Sequence, residues 1–205
     1  MSLERLIAQQ NSLLQQLVDT LQQRQSLGFG ESPKVRFIYC NRSNHCLWYW
    51  LNDGREVVPI PQAALTCYVE KLEFRQVERR GKDTWKTHLH VRGDRRYILE
   101  AGYDSNFSKS LLAALATLST DQLQQPVTIE VQAADADEVL FCRVYANGDL
   151  VFAPWDEQTD WRFIAKRAIA NVEAANGGRS SSGQGDAEGQ TIPLNPSASA
   201  VGGRG

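Results

Sequence analysis

No stretch of this chain approaches the ~18 consecutive apolar residues that a membrane-spanning helix requires. Its first residues, Met1-Ser2-Leu3-Glu4-Arg5, lead into Gln-rich amphipathic sequence, not into the continuous apolar block of a secretory signal. Both absences predict a cytoplasmic protein that makes no membrane contact. Cysteine is sparse. The four thiols, Cys40, Cys46, Cys67 and Cys142, include no Cys-x-x-Cys pair, so they read as reduced. Also missing are a Gly-x-Ser-x-Gly elbow, a phosphate-binding glycine loop, a His-Glu-x-x-His helix and a dinucleotide fingerprint. The pair Gly28-x-Gly30 follows a helical stretch, which is the wrong context for phosphate binding. The reading is of a non-enzymatic protein with no cofactor.

Metal ligation is expected to be absent too. Cys40, His45 and Cys46 do not carry a usual structural zinc spacing, and no second Cys/His pair accompanies them. His88-x-His90 sets two imidazoles on one strand face without an evident carboxylate. They read as exposed histidines in a basic stripe.

What is present is size enough for one domain with appendages: 205 residues, 42% hydrophobic and 9% aromatic. The net charge of −2 conceals a polarity. Residues 71–96 hold nine Lys/Arg against four Asp/Glu, and residues 97–176 hold five against twelve. A basic first half facing an acidic second half indicates either an anionic partner or mutual attraction within the fold.

Residues 1–27 read as an amphipathic helix. Leu3, Ile7, Leu14, Leu17 and Leu21, with Gln10 on the same seam, are spaced 4-3-4-3-4. The stripe suits a coiled coil between subunits, hence a homo-oligomer, or a helix folded onto its own domain. Residues 34–64 read as a β-meander with strands Val35–Cys40, Cys46–Leu51 and Glu56–Ile60, the last two joined at Asn52-Asp53-Gly54. In the middle strand Trp48, Tyr49 and Trp50 put aromatics on both faces.

Residues 65–146 hold the central pattern. Strands Thr66–Glu78, Thr84–Arg92 and Arg96–Ala101 are joined by Arg79-Arg80-Gly81-Lys82-Asp83 and Gly93-Asp94-Arg95. A largely apolar helix follows at Phe107–Leu118, then strands at Val127–Gln132 and Glu138–Tyr145. Within Thr84–Arg92, Trp85, Thr87, Leu89 and Val91 take one face, and Lys86, His88, His90 and Arg92 the other. Residues 147–176 add a strand, Asp149–Phe152, after an Asn147-Gly148 turn, and an amphipathic helix, Asp160–Val172. Residues 177–205, with eight Gly and five Ser, read as a disordered tail.

The β-β-β-α-β-β order resembles the OB-fold, in particular the replication-protein-A and single-strand-binding type of domain. The resemblance covers residues 65–146 and rests on element order and charge placement. It implies a mainly β protein: an OB-like five-stranded barrel preceded by a β-meander and flanked by helices. It also implies binding of single-stranded nucleic acid, DNA ahead of RNA, with little sequence specificity. The residues it points to are Arg79, Arg80, Lys82, Lys86, His88, His90, Arg92, Arg95, Arg96 and Tyr97, with Trp85 and Tyr103 as further stacking candidates. Against this stand the acidic residues 133–138, which would repel a backbone, and the absence of an acidic, apolar-tipped tail. The alternative is a protein-interaction or assembly module that uses the N-terminal helix and the aromatic meander.

Overall fold

A computed structural model of the chain describes residues 5, 7, 9–16, 34–42, 45–79, 81–134 and 139–177, and of Arg79 and Lys82 the backbone alone. The chain divides into two units, Met1–Pro33 and Lys34–Gly205. In the first, residues 9–16 are helical, with Leu13 and Leu14 exposed. Leu3, Leu17 and Leu21 of the expected stripe, the tail after Gly177 and the acidic residues 135–138 lie outside the described residues.

The second unit is mainly β with a few helices. Its strands are β1 (Arg36–Tyr39), β2 (Tyr49–Leu51), β3 (Val57–Pro59), β4 (Ala64–Arg79), β5 (Lys82–Arg92) and β6 (Arg96–Gly102). Then come helices α1 (Asn106–Thr117) and α2 (Thr120–Leu123), strands β7 (Val127–Ala133), β8 (Leu140–Ala146) and β9 (Asp149–Leu150), and helix α3 (Trp161–Asn176). Together the strands form one nine-stranded mixed sheet in the order β3-β2-β1-β6-β5-β4-β7-β8-β9. No helix among the described residues is long and apolar enough to cross a membrane.

The long strand β4 organises the sheet. Its first residues, Ala64–Cys67, pair with β7, and Tyr68–Arg79 pair with β5. A register shift between Val69 and Lys71 leaves Glu70 as the extra residue. Such a bulge bends a strand and strengthens its twist, so β4 turns a corner and belongs to both halves of the sheet.

The expected closed five-stranded barrel does not form. The five strands lie in the order β6-β5-β4-β7-β8, but both outer edges are already taken. β1 runs parallel to β6, pairing Arg36 with Tyr97 and Ile38 with Leu99, and β9 pairs with β8. With those hydrogen bonds satisfied, β6 and β8 cannot zip to each other and the sheet stays open. The meander therefore continues the main sheet. Its strands are shorter than the alternation suggested, and the one expected at Asp149–Phe152 stops at Leu150.

Helix α1 is held at its start by Ser105, whose Oγ accepts from the Ser108 backbone N–H at 3.2 Å. Phe107, Leu111, Leu112 and Leu115 are each no more than 1% exposed. It packs on β8 and on α3. Burial of four such side chains contributes ~1.5–3 kcal/mol each, far more than helix propensity alone could. Asn171 of α3 donates to the carbonyls of Leu115, Ala116 and Leu118 at 3.0–3.1 Å, closing the otherwise unpaired C-terminal end of α1.

Candidate functional site

The core-side face of the central sheet carries Leu72 and Phe74 of β4, Leu89 and Val91 of β5, and Leu99 and Ala101 of β6. The opposite face carries the charges. Cross-strand register lines up Glu73, His88 and Glu100 in one row, with Arg75 beside Lys86, and Arg92 beside Arg96. Alternation thus sorts Lys86, His88, His90 and Arg92 onto one face as expected.

The basic face is not a bare stripe of cations. Glu73, 6% exposed, takes Lys71 Nζ at 2.7 Å, Arg75 Nε at 2.8 Å and His90 Nε2 at 2.9 Å. Burial alone would raise its pKa. The three hydrogen bonds outweigh that and hold the carboxyl at about 2. An ionised carboxylate only accepts, so His90 carries its proton on Nε2. Glu70, projected by the bulge, pairs with Arg92 Nε at 3.2 Å and Arg96 Nε at 3.3 Å. Arg92 also lies over the Tyr68 ring, 4.6 Å from its centroid.

The histidines correct the expectation of exposed, partnerless imidazoles. His88 is 5% exposed, lies 3.1 Å from Glu100 Oε2 and meets Phe37 edge-on at 5.7 Å. The carboxylates missing from the local sequence arrive from neighbouring strands. Among the described residues, no group of three or more His, Cys, Asp or Glu side chains is placed to hold a metal ion.

Of the remaining candidates, Lys86 is half-buried and Arg95 is exposed, 3.8 Å from Asp94. Arg80 and the side chains of Arg79 and Lys82 lie outside the described residues. Tyr97 falls on the other face. It pairs with Val91 across the β5–β6 hairpin and so shares the face of Leu89 and Leu99. Trp85 is half-buried on that same face, and Tyr103 is buried against Phe74 at 5.1 Å.

The aromatic meander divides in the same way. Tyr49 stacks on Tyr39 at 5.2 Å, on the side of the charged face. Trp48 and Trp50 lie on the core side, where Trp48 is buried and its Nε1 donates to the Gln62 carbonyl at 2.7 Å. The Arg36 guanidinium lies 3.8 Å from the centre of the Trp50 ring. Tyr97, Arg36 and Trp50 therefore stand side by side on β6, β1 and β2. They floor a cavity of ≈ 460 Å³ walled by Ile60 and Leu65. Sequence reasoning missed this cavity, because its floor depends on the parallel β1–β6 pairing.

Cys40, Cys67 and Cys142 are free and buried, and burial raises all three thiols, Cys67 to about 12. They are poor nucleophiles at neutral pH. No family model, no curated protein and no solved structure matches this chain.

Proposed function

We propose that the chain binds single-stranded nucleic acid, DNA ahead of RNA, with little sequence preference, on the charged face of β4, β5 and β6. The observation that carries this reading is the imbalance of the ion pairs there. Two carboxylates, Glu70 and Glu73, are shared among Lys71, Arg75, Arg92 and Arg96, whose side chains remain 45–62% exposed. The carboxylates orient the cations without cancelling them, and N–H groups remain to meet phosphates. The order of strands around β4, with α1 between β6 and β7, supports an OB-like reading of residues 65–146. That fold commonly presents a strand-binding surface.

The test is fluorescence anisotropy with a labelled single-stranded oligonucleotide at several salt concentrations. If about four cations meet phosphates, log affinity should fall with log salt at a slope near −3, from ~0.7 per phosphate. Reversing Lys86 and Arg92 to Glu should weaken binding on every sequence and flatten the slope. Absence of binding at low salt would transfer the case to protein assembly.

A second property belongs with this reading. Ile7, Leu13 and Leu14 are 49–59% exposed. With the 4-3-4-3-4 spacing they support self-association through the N-terminal helix, most simply as a dimer.

A further inference from the structure

We propose that the cavity over Trp50, Arg36 and Tyr97 is a nucleotide subsite, taking a planar base with an exocyclic amino group and, beside it, a phosphate. It goes beyond strand binding on the charged face, because it lies on the other side of the sheet and is built from β1, β2 and β6.

The floor is layered: the Arg36 guanidinium lies over the Trp50 indole, 3.8 Å from its centre, and the Tyr97 phenol stands next to Arg36 on the neighbouring strand. Bases stack on such surfaces whatever their sequence. Ile60 and Leu65 supply apolar walls, and Pro59 and Pro61 stiffen the segment that forms them. The Trp48 bond to the Gln62 carbonyl ties that segment to the residue that leads into β2, so the cavity is preformed. Its ≈ 460 Å³ falls within the ~300–1,000 Å³ of small-molecule sites.

Polar groups sit at defined places. Tyr97 donates its hydroxyl to Asp94 Oδ1 at 2.7 Å, which fixes the ring and the carboxylate together. That hydrogen bond also lowers the Asp94 pKa, so the carboxylate stays charged and accepts from an amino group. Asp94 would repel a phosphate, whereas the half-buried Arg36 would attract one. The ligand is thereby oriented, with its amino edge at Asp94 and its phosphate at Arg36. One nucleotide, free in solution or within a strand, carries all three features.

The experiment is tryptophan fluorescence of the full chain titrated with adenosine 5′-monophosphate, inosine 5′-monophosphate and a short oligo-deoxyadenosine. Adenosine monophosphate should quench saturably with a shallow salt dependence, since a single phosphate is involved. Inosine monophosphate, which lacks the amino group, should bind about tenfold more weakly. Trp50→Leu should lower affinity about tenfold or more. Asp94→Asn, at an exposed position, and Arg36→Leu should weaken binding even if Trp50→Leu proves unstable. A mononucleotide that binds as tightly as the oligonucleotide assigns the site to free nucleotides. An oligonucleotide at least tenfold tighter, losing that advantage in Arg36→Leu, assigns it to a base of a strand. No quench, equal affinity for inosine monophosphate, or unchanged affinity in Arg36→Leu and Asp94→Asn would overturn the proposal. Because the mononucleotide is measured alone, failure here leaves the salt-dependent test of the charged face standing.

Discussion

Glu73 concentrates the electrostatics of the charged face in one side chain. Its carboxyl is held at about 2 against an ordinary 4.5, with Lys71, Arg75 and His90 as donors. A depressed carboxylate pKa stabilises the fold fully above the unfolded value and ceases to do so as pH falls through the folded one. Thermal melts should therefore show stability falling between about pH 4.5 and pH 2, with Glu73 a main contributor. In Glu73→Gln that acid limb should flatten. The variant should also lose ~1–3 kcal/mol at neutral pH, because three donors lose the charged acceptor that sits buried among them. An unchanged acid limb would remove Glu73 from this role. The thiols offer a second check at the same scale. Burial raises all four thiols, but Cys46 is partly exposed, whereas Cys40, Cys67 and Cys142 are at most 7% exposed. Titration of the native protein with a thiol reagent at pH 8 should modify Cys46 first and the other three only on unfolding.

The helical layer depends on a few side chains that tie one element to another. Leu115 of α1 is fully buried, so Leu115→Ala should cost ~2–5 kcal/mol in denaturant unfolding. Asn171→Ala should cost ~1–3 kcal/mol, since three carbonyls at the end of α1 lose their donor. A loss below ~0.5 kcal/mol would mean that water replaces the amide there. Elements of this kind were legible in the sequence wherever the signal is local. Alternation placed Leu89 and Val91 opposite His90 and Arg92. The apolar run Phe107–Leu118 marked α1, and Asn147-Gly148, both at positive φ, marked the β8–β9 turn. Non-local pairing was not legible. Nothing near Arg36–Tyr39 announces a parallel partner about sixty residues away, so the open sheet and the Trp50 cavity went unseen. Counting charges along residues 71–96 missed how Glu70 and Glu73 are shared, because strand register and the Val69–Lys71 bulge decide that. The resemblance puts Tyr97 with the histidines as a stacking residue, whereas the short Gly93–Arg95 turn sets it opposite Val91, on the other face.

At the scale of the whole molecule, the N-terminal helical residues raise the question of assembly. Ile7, Leu13 and Leu14 stand about half exposed on residues that are otherwise Gln-rich and weakly charged. A short isolated helix is marginal in water unless an apolar face is covered. A second copy of the same stripe is the simplest cover, since identical 4-3-4-3-4 seams are self-complementary about a two-fold axis. Light scattering should therefore give a dimer for the full chain. Ile7→Lys with Leu14→Lys should shift the chain toward monomer, because a pair of buried lysines at such a seam costs several kcal/mol of association. The melting of the unit from Lys34 onward should change little, as its core is built from its own strands and helices. Pairing the chains would also bring two charged faces into one particle, linking two binding events through effective concentration. The lysine variant should accordingly bind a long single strand more weakly than a short one relative to the parent chain. A monomeric full chain, or a lysine variant that remains dimeric, would refute the assembly reading and leave each charged face to act alone.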